Sequence, residues 1–223
     1  MTVQNHFVHL FTSLNIEEIH QGLEIAKTNP DETTKEYTDG YIHLINAFHK
    51  DSEHFFSKKV SSIEELKIDD IAYLNGEVIK VDNREIQSIP SAIGLLKNLK
   101  ELHIFANSLT SIPNEIGKLE KLEKLVLEGN LLTGLPEEIG NLKNLRHLNL
   151  NCNRIESLPS TITNLKLEAL HIIENSGLSL GIVERIAQIK TLKDVWLDAE
   201  DFDFDIQDSI RDEFYFCDNI KFG

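Results

Sequence analysis

Between Leu122 and Asn144 the chain reads LEKLVLEGNLLTGLPEEIGNLKN, with leucine or isoleucine at the first, fourth, sixth, eleventh, fourteenth, eighteenth and twenty-first positions. Neither a long helix nor a single strand has that spacing. The opening x-Leu-x-Leu-x alternates with period two and predicts a short strand with one apolar face. Leu125 and Leu127 would point inward, and Lys124, Val126 and Glu128 outward. The closing Leu-Pro-x-x-Ile-x-x-Leu has a period of three to four and predicts a short helical return. Proline sits near its start, where a missing N–H costs least.

The unit recurs. LKELHIFANSLTSIPNEIGKLEK begins at Leu99 and LRHLNLNCNRIESLPSTITNLK at Leu145, so three copies start 23 residues apart. A looser copy opens at Leu167, a truncated one at Leu192, and a blurred one at Val78 keeps Ile86, Ile89, Pro90 and Ile93. Pro90, Pro113, Pro136 and Pro159 all hold the same slot. Self-similarity at a fixed period of this size marks a stack of coils, each a strand followed by a return to a parallel strand. One polar residue breaks the apolar pattern at the end of each strand, where the backbone turns inside the stack. Asn107, Asn130, Asn153 and Asn175 stand there. An amide carries both donors and an acceptor, so these residues are expected to form a ladder, each bonding the turn backbone of its own coil and the next. Arg84 and Glu200 take the place in the outer copies.

These repeats resemble the leucine-rich repeat superfamily, specifically its 23-residue intracellular class with LPxxIxxLxN. That class includes plant intracellular Ras-group-related proteins, Ras-binding scaffolds and small bacterial proteins. The resemblance covers roughly residues 76–200. It implies an α/β fold: a leucine-rich repeat solenoid, or horseshoe, with a concave parallel β-sheet, short helices on the convex side and a helical N-terminal cap. It says much less about function, since one fold hosts many partners.

Three segments are expected: a helical cap or small helical domain over residues 1–70, the solenoid over 71–200 and an acidic C-terminal cap over 201–223. In the first, Ile16, Ile19, Leu23 and Ile25 or Ala26 fall at helical spacing behind Ser13 or Asn15 as caps. NPDETTKE reads as a polar break. Tyr41, Leu44, Phe48 and Phe55–Phe56 then follow a second helical pattern, and SSIEELKIDD a last short helix capped by Ser61 or Ser62. Covering the first coil's leucines is the simplest role for these helices. In the tail, Phe202, Phe204, Ile206, Ile210 and Phe214 would pack on the last coil.

Charge narrows the partners. The net charge is −15, distributed as −7 over residues 1–70, −1 over 71–197 and −7 over 198–223. No Lys/Arg cluster exists of the kind that neutralises phosphates or an anionic membrane, so neither nucleic acid nor membrane is expected. MTVQNHFVHLFTSLN lacks a basic start and does not read as a secretory signal. Two unrelated cysteines, Cys152 and Cys217, point to reduced thiols and a cytoplasmic location.

Candidate chemistry is thin. The pairs His6–His9 and His49–His54 lack zinc-like companions, and His103, His147 and His171 are spread over stacked strands. Asp201, Asp203, Asp205 and Asp212 match positions 1, 3, 5 and 12 of a calcium loop, but Ile206 stands where its sharp turn needs glycine. No nucleophile motif appears, and Glu137–Glu138 read as ordinary solvated first-turn acids. No cofactor, metal site or enzymatic activity is therefore expected.

The surface left free is the outward face of the strands. One column runs Lys80, His103, Val126, Asn149, His171, Trp196, and the next Asp82, Phe105, Glu128, Asn151, Ile173, Asp198. Aromatic anchors among polar neighbours are the make-up of binding hot spots. His103, Phe105, Val126, Glu128, Asn149, Asn151, His171, Ile173 and Trp196 are thus the expected contacts of a non-enzymatic scaffold that grips a protein or peptide, as a monomer or with weak self-association. The alternative is a regulator or sensor whose N-terminal helices bind the partner, with the repeats as rigid support.

Overall fold

The computed structural model describes residues 3–49, 58–82, 85–175, 178–198, 202 and 204–222. Arg84, Glu200, Asp201, Asp203, His54, Phe55 and Phe56 lie outside the described residues, as do the side chains of Phe204 and Asp205.

The front of the chain is a helical layer. It contains α1 (Val3–Phe11), α2 (Ile16–Thr28), α3 (Glu32–Phe48) and α4 (Ile68–Leu74). Asn15 starts α2 by accepting from the N–H groups of Glu17 and Glu18. Ile19, Leu23 and Ala26 are buried, whereas Ile16 is exposed because it precedes the inward stripe. The polar break is shorter than its composition suggests. Asp31 accepts from Thr34 N while Thr34 Oγ1 accepts from Asp31 N, a reciprocal capping box that starts α3 at Glu32. Ser61 and Ser62 cap no α-helix. A single 3₁₀ turn, Ile63–Glu65, follows them without a side-chain cap, and α4 begins only at Ile68. α1, a segment weighed in the sequence only as a possible leader, buries Phe11 against Tyr41 and Phe7 against Phe11 and Tyr37.

Buried Asn75 ties this layer together. It accepts from Tyr41 Oη and donates to the carbonyls of Phe11 and Ser13, each at 2.8 Å. Burial in this apolar setting holds the Tyr41 hydroxyl well above the usual phenol range.

The rest is one sheet of seven parallel strands in chain order: β1 (Val78–Lys80), β2 (Glu101–His103), β3 (Lys124–Val126), β4 (His147–Asn149), β5 (Ala169–His171), β6 (Asp194–Leu197) and β7 (Asn219–Phe222). Their register stacks Ile79, Leu102, Leu125, Leu148, Leu170 and Val195 into one fully buried row. The fold is an α/β solenoid with a helical N-terminal cap.

Four returns are 3₁₀ helices of five residues: Ser91–Leu95, Asn114–Lys118, Glu137–Asn141 and Ser160–Asn164. Each follows its repeat proline at a φ near −65°, the value the ring imposes. The fifth return is a true α-helix, α5 (Leu180–Ala187). The tight returns stack through glycine. A Cβ on Gly117 would sit 2.5 Å from Glu138 O, and one on Gly140 2.4 Å from Thr161 Cβ. The expected tail cap contains α6 (Phe204–Glu213), with Ile210 and Phe214 buried and Phe202 and Ile206 partly so. The tail then adds β7, a seventh strand that no repeat motif announces.

The asparagines bond across coils. Asn130 accepts from Leu109 N (3.1 Å) and donates to Ile104 O (2.8 Å) in the preceding coil, and to Leu127 O (2.9 Å) in its own. Asn153 does the same with Leu132 N, Leu127 O and Leu150 O, and Asn175 with Ile155 N, Leu150 O and Ile172 O. Asn107, half-buried, bonds Ile86 N, Val81 O and Phe105 O. The second coil is thus the preceding one, not the next, because each amide reaches back over the turn laid down before it. Just before these asparagines, Ala106, Gly129, Cys152 and Glu174 take a left-handed φ of 52° to 71°, and only one of them is glycine. Glu137 also spans coils. Its carboxylate accepts from the N–H groups of Ser160 and Thr161, both at 3.2 Å, which holds it below its usual pKa. It is therefore more than an ordinary solvated acid.

Asn130→Ala strands Leu109 N and Ile104 O in the interior, while Leu127 O keeps its bond from Asn153, and each orphaned group costs about 1–3 kcal/mol. Asn144→Ala removes one exposed bond to Glu120 O and should cost about 0.5 kcal/mol or less. Denaturant unfolding checks this; equal midpoints for the two variants would contradict it. Gly140→Val should lower stability by about 1–3 kcal/mol by wedging adjacent returns apart, and an unchanged melting temperature would show that the returns separate freely.

Candidate functional site

Strand alternation sends three residues per coil to the outward face. The first column is Val78, Glu101, Lys124, His147, Ala169, Asp194 and Asn219; the second is Lys80, His103, Val126, Asn149, His171, Trp196 and Lys221. Over β2–β5 these columns line an open hollow of about 360 Å³, with His103, Lys124, Val126, His147, Asn149, Ala169 and His171 around it. Lys124 and Ala169 were absent from the sequence-based site, and His147 appeared there only as a rejected metal ligand. The same period-two rule finds all three once the first column is read as well as the other two.

The third column forms a more polar border. Phe105 is 38% exposed there, and its N–H donates to Asp82 Oδ1 at 3.2 Å. Glu128 accepts from Asn149 Nδ2 at 2.7 Å, and Asn149 Oδ1 accepts from Asn151 N at 2.9 Å. Asn151 is only 6% exposed. Its oxygen is taken by Ile173 N at 3.0 Å, so its side chain serves the backbone and leaves the expected contact surface. Val126, Glu128, Asn149, His171, Ile173 and Trp196 are half-buried, and each keeps part of its surface outward.

The acids of this border bear on one thiol. Cys152 Sγ lies 3.2 Å from Glu174 Oε2. Burial, that hydrogen bond and the charges of Glu174, Glu128 and Asp198 push the thiol up to about 11. Cys152 and Cys217 are both free thiols.

At the far end, His171 and Trp196 stack with centroids 4.3 Å apart and planes 16° from parallel. Lys221 Nζ lies 4.3 Å from the centroid of the same indole. Asp194 is the hub beneath them, bonded by His171 Nε2 (3.0 Å), Trp196 Nε1 (3.0 Å) and Asn219 Nδ2 (2.6 Å). Burial alone would raise its pKa, but these donors together hold it below the usual carboxylate range. His103 is paired with Glu101 at 3.2 Å. Among the described residues, no three His, Cys, Asp or Glu side chains come together to hold a metal ion, and no helix is long and apolar enough to cross a membrane.

A second cleft, of about 520 Å³, runs between α3 and the first two 3₁₀ returns, lined by residues that include Tyr37, His43, Lys97, Glu115 and Lys118. Burial holds the Lys97 ammonium below its usual pKa, and its Nζ donates to Lys118 O at 3.2 Å.

Two family models for the leucine-rich repeat match this chain, one over residues 120–176 and the other over residues 98–119. No curated protein matches it. Among solved structures it is similar to a Leptospira interrogans leucine-rich repeat protein, at 34% identity over 53% of this chain and 36% of that one, with a TM-score of 0.44. It is also similar to the plant peptide hormone receptor RGFR1, solved in complex with RGF2. There the identity is 32% over 56% of this chain and 21% of the receptor, with a TM-score of 0.48. The leucine-rich repeat ectodomain of the receptor kinase SOBIR1 from Arabidopsis thaliana is 30% identical over 51% of this chain and 64% of that one, with a TM-score of 0.43. The chain thus spans less than two thirds of the length of each of these proteins. Repeats of the matched family occupy residues 98–176, and the chain is a leucine-rich repeat protein.

Proposed function

We propose that this protein is a non-enzymatic scaffold that binds a protein or peptide on the outward face of its sheet. The observation that carries the reading is Phe105, a large apolar side chain left 38% exposed beside the hollow over β2–β5. Val126, Ile173 and Trp196 lie on the same face, set among His103, Glu128, Asn149 and His171. An aromatic anchor ringed by polar groups suits protein recognition. Seven strands about 4.8 Å apart span roughly 29 Å, room for a patch of about 800 Å², the usual half of a stable interface. The outward columns carry no run of Lys and Arg, which favours a protein over nucleic acid or a lipid surface. The cleft beside α3 supports a second reading, in which the N-terminal helices hold the partner.

Capture of partners from lysate by the full chain separates these readings. Phe105→Ala and Val126→Glu should weaken capture at least about tenfold, the scale of an interface anchor, while leaving the melting temperature unchanged. Glu184→Lys on α5 and His43→Glu in the cleft should leave capture intact. Loss with His43→Glu alone would move the site to the helical cap, and loss with Glu184→Lys alone to the convex side.

Cys152 provides a reporter at the border of this face. With its thiol pushed up to about 11, labelling by iodoacetamide in a Cys217→Ser background should be slow at pH 8. It should rise about tenfold per pH unit toward that value, because the thiolate is the reactive form. Glu174→Gln removes a nearby negative charge and leaves only a neutral amide oxygen as acceptor, so it should speed labelling at pH 8. Equal rates for the two forms would show that Glu174 does not govern this thiol.

A further inference from the structure

Neighbouring positions on parallel strands lie about 4.8 Å apart, so opposite charges set side by side in a column are within reach of each other. The first outward column does not use that reach. Across β2–β6 it runs Glu101, Lys124, His147, Ala169, Asp194. Glu101 stands beside Lys124, yet its carboxylate is bonded by His103 on its own strand, at 3.2 Å. At the other end, Asp194 is taken by His171, Trp196 and Asn219. Among the described residues, the Lys124 ammonium and the His147 ring make no hydrogen bond or ion pair.

The other nearby acids act on different partners. Glu128 accepts from Asn149 Nδ2 at 2.7 Å. Glu168 feels the charge of His147, but its carboxylate accepts from Lys193 Nζ at 2.7 Å. Glu123 precedes β3, and its charge acts on Lys100. The hollow over β2–β5 is thus lined by one lysine and three histidines and by no acid. That is notable in a chain whose net charge is −15. Ala169 ends in a single methyl, so the space beside His147 stays open.

We propose that this hollow takes the carboxylate of an aspartate or glutamate side chain from an extended segment of another protein, held by Lys124 and His147. The ammonium supplies a charge-assisted donor, and the imidazole supplies an N–H in either charge state. Val126 and Phe105 would meet apolar side chains of the same segment. The inference rests on the outward-face reading above and adds to it the charge of the residue recognised. Charge also sets this site apart from unspecific attraction, since a chain of net charge −15 draws cations rather than carboxylates.

The test uses the full chain to select from random phage-displayed peptides of about ten residues, long enough at about 3.3 Å per residue to cross the sheet. Peptides kept by the wild type and lost with Phe105→Ala are those bound on the outward face. Among them, Asp or Glu should be enriched at one position over the unselected pool. Changing that acid to its amide in a synthetic, fluorescent peptide should weaken binding about tenfold by anisotropy, the scale of one charge-assisted hydrogen bond. Lys124→Met should abolish the acid preference at an unchanged melting temperature, and Lys124→Glu should turn the preference to Lys or Arg. An acid preference that survives Lys124→Met overturns the proposal, as does a set of Phe105-dependent peptides without one. In both cases the outward-face reading stands. Failure to select any Phe105-dependent peptide overturns that reading and this inference together.

Discussion

The fold depends on how its interior turns are hydrogen-bonded. A strand that must turn inside a stack carries polar backbone groups beyond the reach of water, and a buried amide or carbonyl without a partner is costly. One asparagine per coil resolves this at Asn130, Asn153 and Asn175, because its carboxamide offers an acceptor and two donors from a single position. The apolar rows then close over turns that are already satisfied. Leucine burial supplies the drive for stacking, but these amides are what permit the stack to be dry. The left-handed residue before each of them belongs to the same arrangement, since it swings the amide into the turn.

Much of this was legible from spacing alone. The interval between Leu99, Leu122 and Leu145 gave strand, turn and return, and the repeat prolines marked where each return begins. Parts that lack periodicity were harder to read. α3 begins at Glu32 because of a capping box hidden in a stretch whose polarity suggests a break, and α1 shows its stripe only through Phe7, Leu10 and Phe11, within a single turn. β7 has no repeat around it, so only its pairing with β6 reveals it. For the site, alternation correctly sent Phe105, Val126 and Trp196 outward. It could not tell that Asn151 would spend its oxygen on Ile173 N, or that Glu137 would reach into the next return. Those roles depend on distances between coils, which one-dimensional spacing does not contain.

The outward face and the front cap also differ in how they use polar residues. In the cap, Asn75 and Tyr41 hold three helices through buried bonds, so polarity there is internal and fixed. On the sheet, Asp194 gathers His171, Trp196 and Asn219 at a partly open position, where the indole is already met by the His171 ring and the Lys221 ammonium. The first arrangement gives rigidity, and the second a surface whose shape is set in advance of contact.

The change of return from 3₁₀ helix to α-helix at Leu180–Ala187 bears on the geometry of the outward face. Strands stay about 4.8 Å apart, whereas packed α-helices stand about 8–10 Å apart. A narrow return with glycine at its crossing keeps the two sides of the stack nearly equal in width and the arc shallow. A full helix acts as a wedge on the outer side and tightens the arc locally. That helix falls between β5 and β6, the two strands whose outward rings, His171 and Trp196, lie face to face.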